Sequence, residues 1–258
     1  LSSAASDVYK RQIHFFGTEF LYTSYFIKIA SEEGYKDRIV TSIQGLVSVY
    51  YDHYSAGLPD YIMRRKTLSE IKGKCSLIGN KKNYLHRGKY EQEALVGSSN
   101  IIGRTTWDKA CAHFIAPESR YYFCNENLRS VFYDGSQWEY EKCNKYQIAI
   151  SQAGYPIKGL HKVIEAVALL CNEFPDIKVK VGGANIFGGN WIKGNSYGIY
   201  IRQLLKKYNL QDQFEFEGFL SAEKMKRLLL ESNVFVCPSS IENSPNSLGE
   251  AMLLGVPC

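Results

Sequence analysis

No stretch of this 258-residue sequence holds an apolar run near the roughly 20 residues that a membrane-spanning helix needs. Its seven cysteines are an odd number, scattered without a CxxC pair or a Cys/His array. That pattern argues against structural zinc and for a reducing compartment. No internal repeat is visible, which excludes a solenoid. The glycine-rich stretch VGGANIFGG (181–189) lacks the GxGxxG spacing and falls mid-domain. A dinucleotide fingerprint would open a domain, so an NAD-dependent oxidoreductase is not expected. The net charge of +5 is mild and comes without a nucleic-acid recognition module, so no nucleic-acid partner is expected.

The composition is that of a globular protein, 45% apolar and 22% charged, with a length that suits two ordinary domains. The N-terminal run SSAASDVYKRQ resembles the translation of a transposase adapter used to prepare DNA sequencing libraries. Residues 1–12 are therefore expected to be non-native, and the chain to be a fragment in which both domains are truncated. Within that run Lys10, Arg11 and Asp7 contribute +1, leaving +4 of the +5. Such a balance suits a phosphate-bearing ligand or an anionic membrane surface.

Strand and helix patterns alternate along the rest, which predicts a parallel α/β sheet in each half. IHFFG (13–17) reads as a buried strand. The next segment has helical spacing, with Phe20, Ser24, Ile27 and Ala30 on one face and Gly34 as its stop. RIVTSIQG (38–45), NIIGRTTWDKACAHF (100–114) and YYFC (121–124) extend the rhythm as strand, strand–turn–helix and strand. DGSQWEYEKCNK (134–145) is polar and aperiodic, like a linker. Residues 13–143 thus read as one domain and 144–258 as a second. In the second, strands are expected at 146–154, 177–183, 214–220 and 234–240. Helices are expected at 160–174, 199–210 and 221–232, with Val163, Ala166, Val167 and Leu170 on the inner face of the first and Ser221 as the N-cap of the last.

The stretch 61–94 interleaves Lys and Arg with Tyr, Ile and Leu. It reads either as a solvated pair of helices or as a surface that touches anionic lipid headgroups.

Ligands of open α/β sheets bind at the C-terminal ends of the strands. In the second domain that rule selects SQAGYPIKG, VGGANI, EGFLS and SSIENSPNS. The last precedes a helix whose first N–H groups suit an anion such as a diphosphate. Asn246 and Ser247 offer those N–H groups, and Pro245 presets the turn. Glu250 follows Ser247 by three residues, the spacing of a capping box, so it reads either as a helix cap or as a ligand contact. Glu242, at a strand end, suits a hydroxyl-rich ligand. Lys158 stands at a second helix start, where it either neutralises phosphate or is an ordinary exposed lysine.

PIKG, VGGA, FEFEGFLSAEKM, VFVCPSS and IENSPNSLGEAMLLGVP, in this order and spacing, resemble the donor half of glycosyltransferase family four. IHFFGTEF, VTSIQGL and IIGRTTWDKA resemble its other half more loosely. The resemblance implies a GT-B fold: two Rossmann-like parallel-sheet domains facing a cleft, with a nucleotide-activated sugar on the C-terminal domain and an acceptor on the N-terminal one. It implies that Glu242 is the catalytic carboxylate beside the donor sugar and that Glu250 binds the ribose. Lys158, Gly159, Asn243, Ser244, Asn246, Ser247, Leu248 and Gly183 would hold the donor, with Phe219 and Leu220 near the base. Gly17, Thr18, Glu19 and Gln44 would lie on the acceptor side. The implied reaction is transfer of a hexose-type sugar with retention, from a UDP- or GDP-sugar to a glycan or lipid-linked glycan, in surface-polysaccharide synthesis. It needs no cofactor and no metal, and no DxD motif is present. The expected location is cytoplasmic, peripheral on the inner face of the plasma membrane. A non-catalytic nucleotide-sugar binder and a nucleotide-sugar epimerase of the same fold are the alternatives. Two departures stand out. The turn SQAGYPIK has Gln152 and no arginine, so a second cation must come from elsewhere. Gln44 stands near where a histidine often follows the first-domain strand, so His14, His53, His86, His113 and His161 are assigned no catalytic part.

Overall fold

The computed structural model describes residues 12–73, 75–187 and 195–258. Apart from Gln12, the expected adapter-derived residues 1–12 lie outside them. The chain separates into two compact units: residues up to Asp52 with Lys81–Glu126, and His53–Asn80 with Asn127–Cys258.

The first unit is built on a four-stranded parallel sheet of β1 (Ile13–Phe16), β2 (Ile39–Ser42), β3 (Asn100–Gly103) and β4 (Arg120–Phe123), in that order. The central β2 is buried at every residue, as its run Ile-Val-Thr-Ser suits. β1 is not the buried strand expected. It sits at the sheet edge with Ile13 and Phe16 exposed. Helix α1 (Leu21–Glu32) follows and buries Thr23, Ser24 and Ile27. Ser24 and Ile27 are on the expected inner face, but Phe20 is exposed, as are Tyr22, Tyr25 and Phe26. Ala30 also packs on the inner side, so the expected face holds except at Phe20, which precedes the first helical residue.

Helix α2 (Val47–His53) is capped by a group far away in sequence. Glu91 of helix α5 (Leu77–Val96) accepts from the N–H groups of Val47 and Ser48 at 3.0 Å each and from Ser48 Oγ at 2.5 Å. Between them lie α3 (Asp60–Arg64) and α4 (Leu68–Gly73), so 61–94 forms two short helices and most of a long one. Helix α6 (Thr106–Ile115) starts with a reciprocal capping box between Thr105 and Asp108, which stabilises it by about 1 kcal/mol. The apolar core gathers Ile43, Leu46, Leu95, Ile101, Ala112 and Ala116.

The second unit carries β5 (Asn144–Ile150), β6 (Lys178–Gly182), β7 (Phe214–Gly218) and β8 (Ser232–Phe235), all parallel, in the spatial order β7-β6-β5-β8. The strand order reverses at β5, between β6 and β8. Helices α7 (Leu160–Leu170), α8 (Ser196–Tyr208), α9 (Ala222–Leu230) and α10 (Asn246–Leu253) accompany the strands. The inner face of α7 is Leu160, Val163, Ile164 and Val167, whereas Ala166 and Leu170, expected inside, are exposed. Ser221 caps α9 by accepting from Lys224 N–H at 3.3 Å, as expected.

The expected linker 134–145 is pinned to this unit. Trp138 donates from its backbone N–H to Leu254 O and from Nε1 to Ser232 O, both at 2.7 Å. Phe132, just upstream, is buried with Phe235, Leu229 and Leu254. Lys226 pairs with Asp134. The polar composition of this segment hid the anchor Trp138, and Phe132 just before it is a second. Residues 127–143 therefore pack with the second sheet, not with the first as a division at 143/144 implies. Residues 53–80 also pack there: Glu70 accepts from Ser196 N–H at 2.8 Å and from Ser196 Oγ at 2.5 Å.

Candidate active site

The loops after β5, β6, β7 and β8 leave the C-terminal ends of four adjacent parallel strands. Reversal of the order at β5 opens a crevice between β5 and β8, the place where such sheets bind ligands. The two loops that border it touch through backbone. Ser240 N–H donates to Ile157 O at 2.9 Å. A Cβ at Gly159 would lie 2.0 Å from Pro238 O, and Gly159 has φ +73°. Only glycine satisfies both the left-handed conformation and that approach.

This contact brings Lys158 and Glu242 together. Lys158 Nζ donates to Glu242 Oε1, and Ser239 Oγ donates to the same oxygen at 2.7 Å. Both side chains are about one-fifth exposed, at 18% and 21%. Asn243 is buried and Ser244 adopts a left-handed φ of +51°, which turns the chain back toward α10.

Pro245 is the N-cap of α10, not Ser247. Its carbonyl accepts from Leu248 and Gly249 N–H at 3.0 and 3.3 Å. Asn246 and Ser247 thus occupy the first turn, where N–H groups precede the intrahelical ladder. The capping-box reading of Glu250 fails accordingly. Glu250 is a ligand of Arg129, which donates from Nε to Oε1 at 2.7 Å and from Nη2 to Oε2 at 2.6 Å. These bonds hold the Arg129 guanidinium protonated against the opposing effect of burial. Arg129 also lies over the Phe132 ring at 5.1 Å.

Arg129, Ser151, Gln152, Gly183, Phe219, Leu220, Met225, Asn246, Ser247 and Glu250 line a cavity of about 330 Å³. Six of the expected donor residues are there: Gly183, Phe219, Leu220, Asn246, Ser247 and Glu250. Lys158, Gly159, Glu242, Asn243 and Ser244 sit on the bordering loops, and Leu248 packs on the core. Ser151 Oγ donates to Ser247 Oγ at 3.0 Å, which ties the β5 loop to the start of α10. Gly183, at φ +97°, donates its N–H to Gly218 O at 2.8 Å and joins the ends of β6 and β7. Arg129, Ser151 and Met225 were missed by sequence reasoning. Gln152 was noticed solely for not being an arginine. Arg129 carries no local motif; its role is visible once Phe132 and Trp138 fix its segment. Burial, followed by the Glu242 charge, raises the pKa of the nearby Cys237 thiol, which keeps it protonated.

In the first unit a smaller cavity of about 220 Å³ lies at the C-terminal ends of β1, β2 and β3, lined in part by His14, Ser42, Gln44, Arg104 and Glu126. Of the four expected acceptor-side residues it includes Gln44, whose carbonyl accepts from Arg104 Nη2 at 2.7 Å. Gly17 makes the turn after β1 at φ +76°. Thr18 is buried, and its hydroxyl has no hydrogen-bond partner among the described residues; Glu19 pairs with Arg87 at 2.7 Å.

Residues 137–258 match the sequence model of the family glycosyl transferases group 1. Over 106 residues the chain is 31% identical to a protein of Escherichia coli (strain K12) named as the colanic acid biosynthesis glycosyltransferase WcaL. Over 104 residues it is 33% identical to the glycosyltransferase YtcC of Bacillus subtilis (strain 168). These alignments cover 39% and 40% of this chain, and the chain spans about a quarter, 24%, of the length of each relative. Among solved structures, sucrose-phosphate synthase from Thermosynechococcus elongatus superposes with a TM-score of 0.66 at 17% identity, over 98% of this chain and 57% of that one. Anabaena HepE, solved with UDP and glucose, gives 0.55 at 14% identity, over 96% and 79%. WaaG, a glycosyltransferase involved in lipopolysaccharide biosynthesis, gives 0.56 at 14% identity, over 90% and 61%. Residues 137–258 thus match the glycosyl transferases group 1 family, and the two parallel α/β sheets have the GT-B fold of the glycosyltransferases on which the chain superposes.

Proposed function

We propose that the protein moves a hexose-type sugar from a UDP- or GDP-sugar to a glycan or lipid-linked glycan in surface-polysaccharide synthesis, with retention and without a metal. The observation that carries this reading is the cavity at the reversal of the β7-β6-β5-β8 order, where Asn246 and Ser247 open α10 beside Glu250 and Arg129. A nucleoside diphosphate fits that combination. The helix start suits phosphate, Glu250 suits ribose hydroxyls, and the exposed Phe219 with the half-buried Leu220 offers an apolar surface for the base.

Loss of the nucleoside diphosphate puts negative charge on the leaving phosphate and positive charge on the sugar carbon. The α10 N–H groups and Lys158 stabilise the first where it develops. Glu242, held by Lys158 and Ser239, stabilises the second. The acceptor is assigned to the first unit, at Gly17, Thr18, Glu19 and Gln44. In residues 61–94, exposed Tyr61, Leu68 and Ile71 stand among exposed Arg64, Lys66 and Lys72. That mixture supports peripheral contact with anionic lipid at the inner membrane face. Among the described residues no helix is long and apolar enough to cross a membrane.

The test is release of nucleoside diphosphate from UDP- and GDP-hexoses by the protein with a glycan acceptor, with and without chelator. Turnover that survives chelation and disappears in Glu242→Ala is expected. Donor binding without turnover would favour a non-catalytic binder, and conversion of the donor to its epimer an epimerase.

A further inference from the structure

We propose that Arg129 is the second diphosphate-binding cation of this site, beside Lys158, supplied from the segment upstream of β5 and positioned by Glu250. The inference rests on the nucleotide-sugar reading above. The turn after β5 offers no arginine, and its Gln152 lines the cavity instead. Lys158 is engaged by Glu242 outside the cavity lining. Among the described residues that line the cavity, Arg129 is the one cation, and it shares that lining with Asn246 and Ser247.

The geometry suits an anion. Glu250 is 2% exposed and takes the Nε and Nη2 edge of the guanidinium, while the Arg129 side chain remains 44% exposed. The Nη1 edge forms no bond within the described residues and is free for a planar, two-pronged contact with phosphate oxygens. The Phe132 ring, with its centroid 5.1 Å from Arg129 Cζ, bounds the guanidinium on one side. A buried carboxylate that fixes one edge and leaves the other open converts a flexible side chain into an oriented donor, which reduces the ordering cost on binding. The pair as it stands is neutral, and an arriving diphosphate adds charge beside a helix start that favours it.

The test is titration calorimetry on the whole protein with UDP and GDP, and with uridine and guanosine at millimolar concentration. Arg129→Gln is expected to weaken the nucleoside diphosphate about ten- to a hundredfold and leave nucleoside binding within about twofold. Arg129→Lys recovers part of the loss. Where the single variant folds poorly because Glu250 is left alone, the Arg129→Gln/Glu250→Gln pair removes that charge; it too should lose selectivity for diphosphate over nucleoside. Inorganic pyrophosphate should displace the nucleotide from the natural protein and fail to do so from Arg129→Gln. Equal loss of nucleoside and diphosphate binding, or none, overturns the assignment while the nucleotide reading stands. Failure of the natural protein to bind any of the four probes overturns both.

Discussion

Arg129 and Glu250, 121 residues apart in sequence, meet in a two-armed ion pair whose carboxylate is sealed and whose guanidinium is half open. Removing one partner of such a pair strands the buried charge. Arg129→Ala is expected to lower stability by roughly 2–3 kcal/mol, less than a fully buried pair would because the arginine reaches solvent. Arg129→Ala/Glu250→Gln should recover most of that, as read by a double-mutant cycle of denaturant midpoints with the two single variants. Additive single losses would mean the two side chains are not coupled.

Glu242→Gln keeps the shape and the hydrogen bond from Ser239 but removes the charge. On the transferase reading kcat falls about a hundredfold, near 2.7 kcal/mol of transition-state stabilisation, while donor affinity moves little. An unchanged kcat would remove Glu242 from the chemistry.

Gly159→Ala meets both a left-handed backbone and the Pro238 carbonyl. A loss of more than about 2 kcal/mol is expected, together with loss of donor binding, because the Lys158 and Glu242 loops are forced apart. A thermal melt with and without UDP reads both.

Glu91 is pushed by burial from the ordinary 4.5 up to about 7, although its three hydrogen-bond donors pull the other way. The folded first unit therefore keeps a proton that the unfolded chain has already released. It binds more protons than the unfolded state between pH 4.5 and about 7, so stability is greatest below that window and falls as pH rises through it. Glu91→Gln, which imitates the protonated acid, should flatten this dependence. A stability difference between variant and natural protein that does not change with pH would contradict it.

Trp138→Ala removes an indole packed on the second unit's core and its bond to Ser232 O. The expected cost is about 2–3 kcal/mol, with protease cleavage appearing between residues 127 and 143. Unchanged protection would mean the segment is held by other contacts.

Most strands and the four loops at the strand ends of the second unit were legible because β-branched runs and helix starts announce themselves locally. Asn246 and Ser247 followed from helix-start chemistry, whereas Gly159 was named through the family resemblance. What stayed hidden was non-local. Arg129 becomes a site residue through Phe132 and Trp138, which look like stray aromatics in a polar stretch. The inner face of α1 was legible at Ser24, Ile27 and Ala30, and spacing misplaced Phe20 because it stands before the helix begins. Glu91 caps a helix some forty positions away, and spacing rules cannot reach that far.

The order β7-β6-β5-β8 also dictates when the site can come into being. Strands β5, β6 and β7 can pair as the chain emerges, each laid beside its predecessor. The cavity does not exist at that stage, because β8 and α10 have still to dock along the opposite edge of β5. Arg129, the earliest of its residues in sequence, waits for Glu250, the last. Contacts of such long range form late, so on the nucleotide-sugar reading recovery of nucleotide binding during refolding should report completion of the second unit, while far-ultraviolet signal reports its beginning.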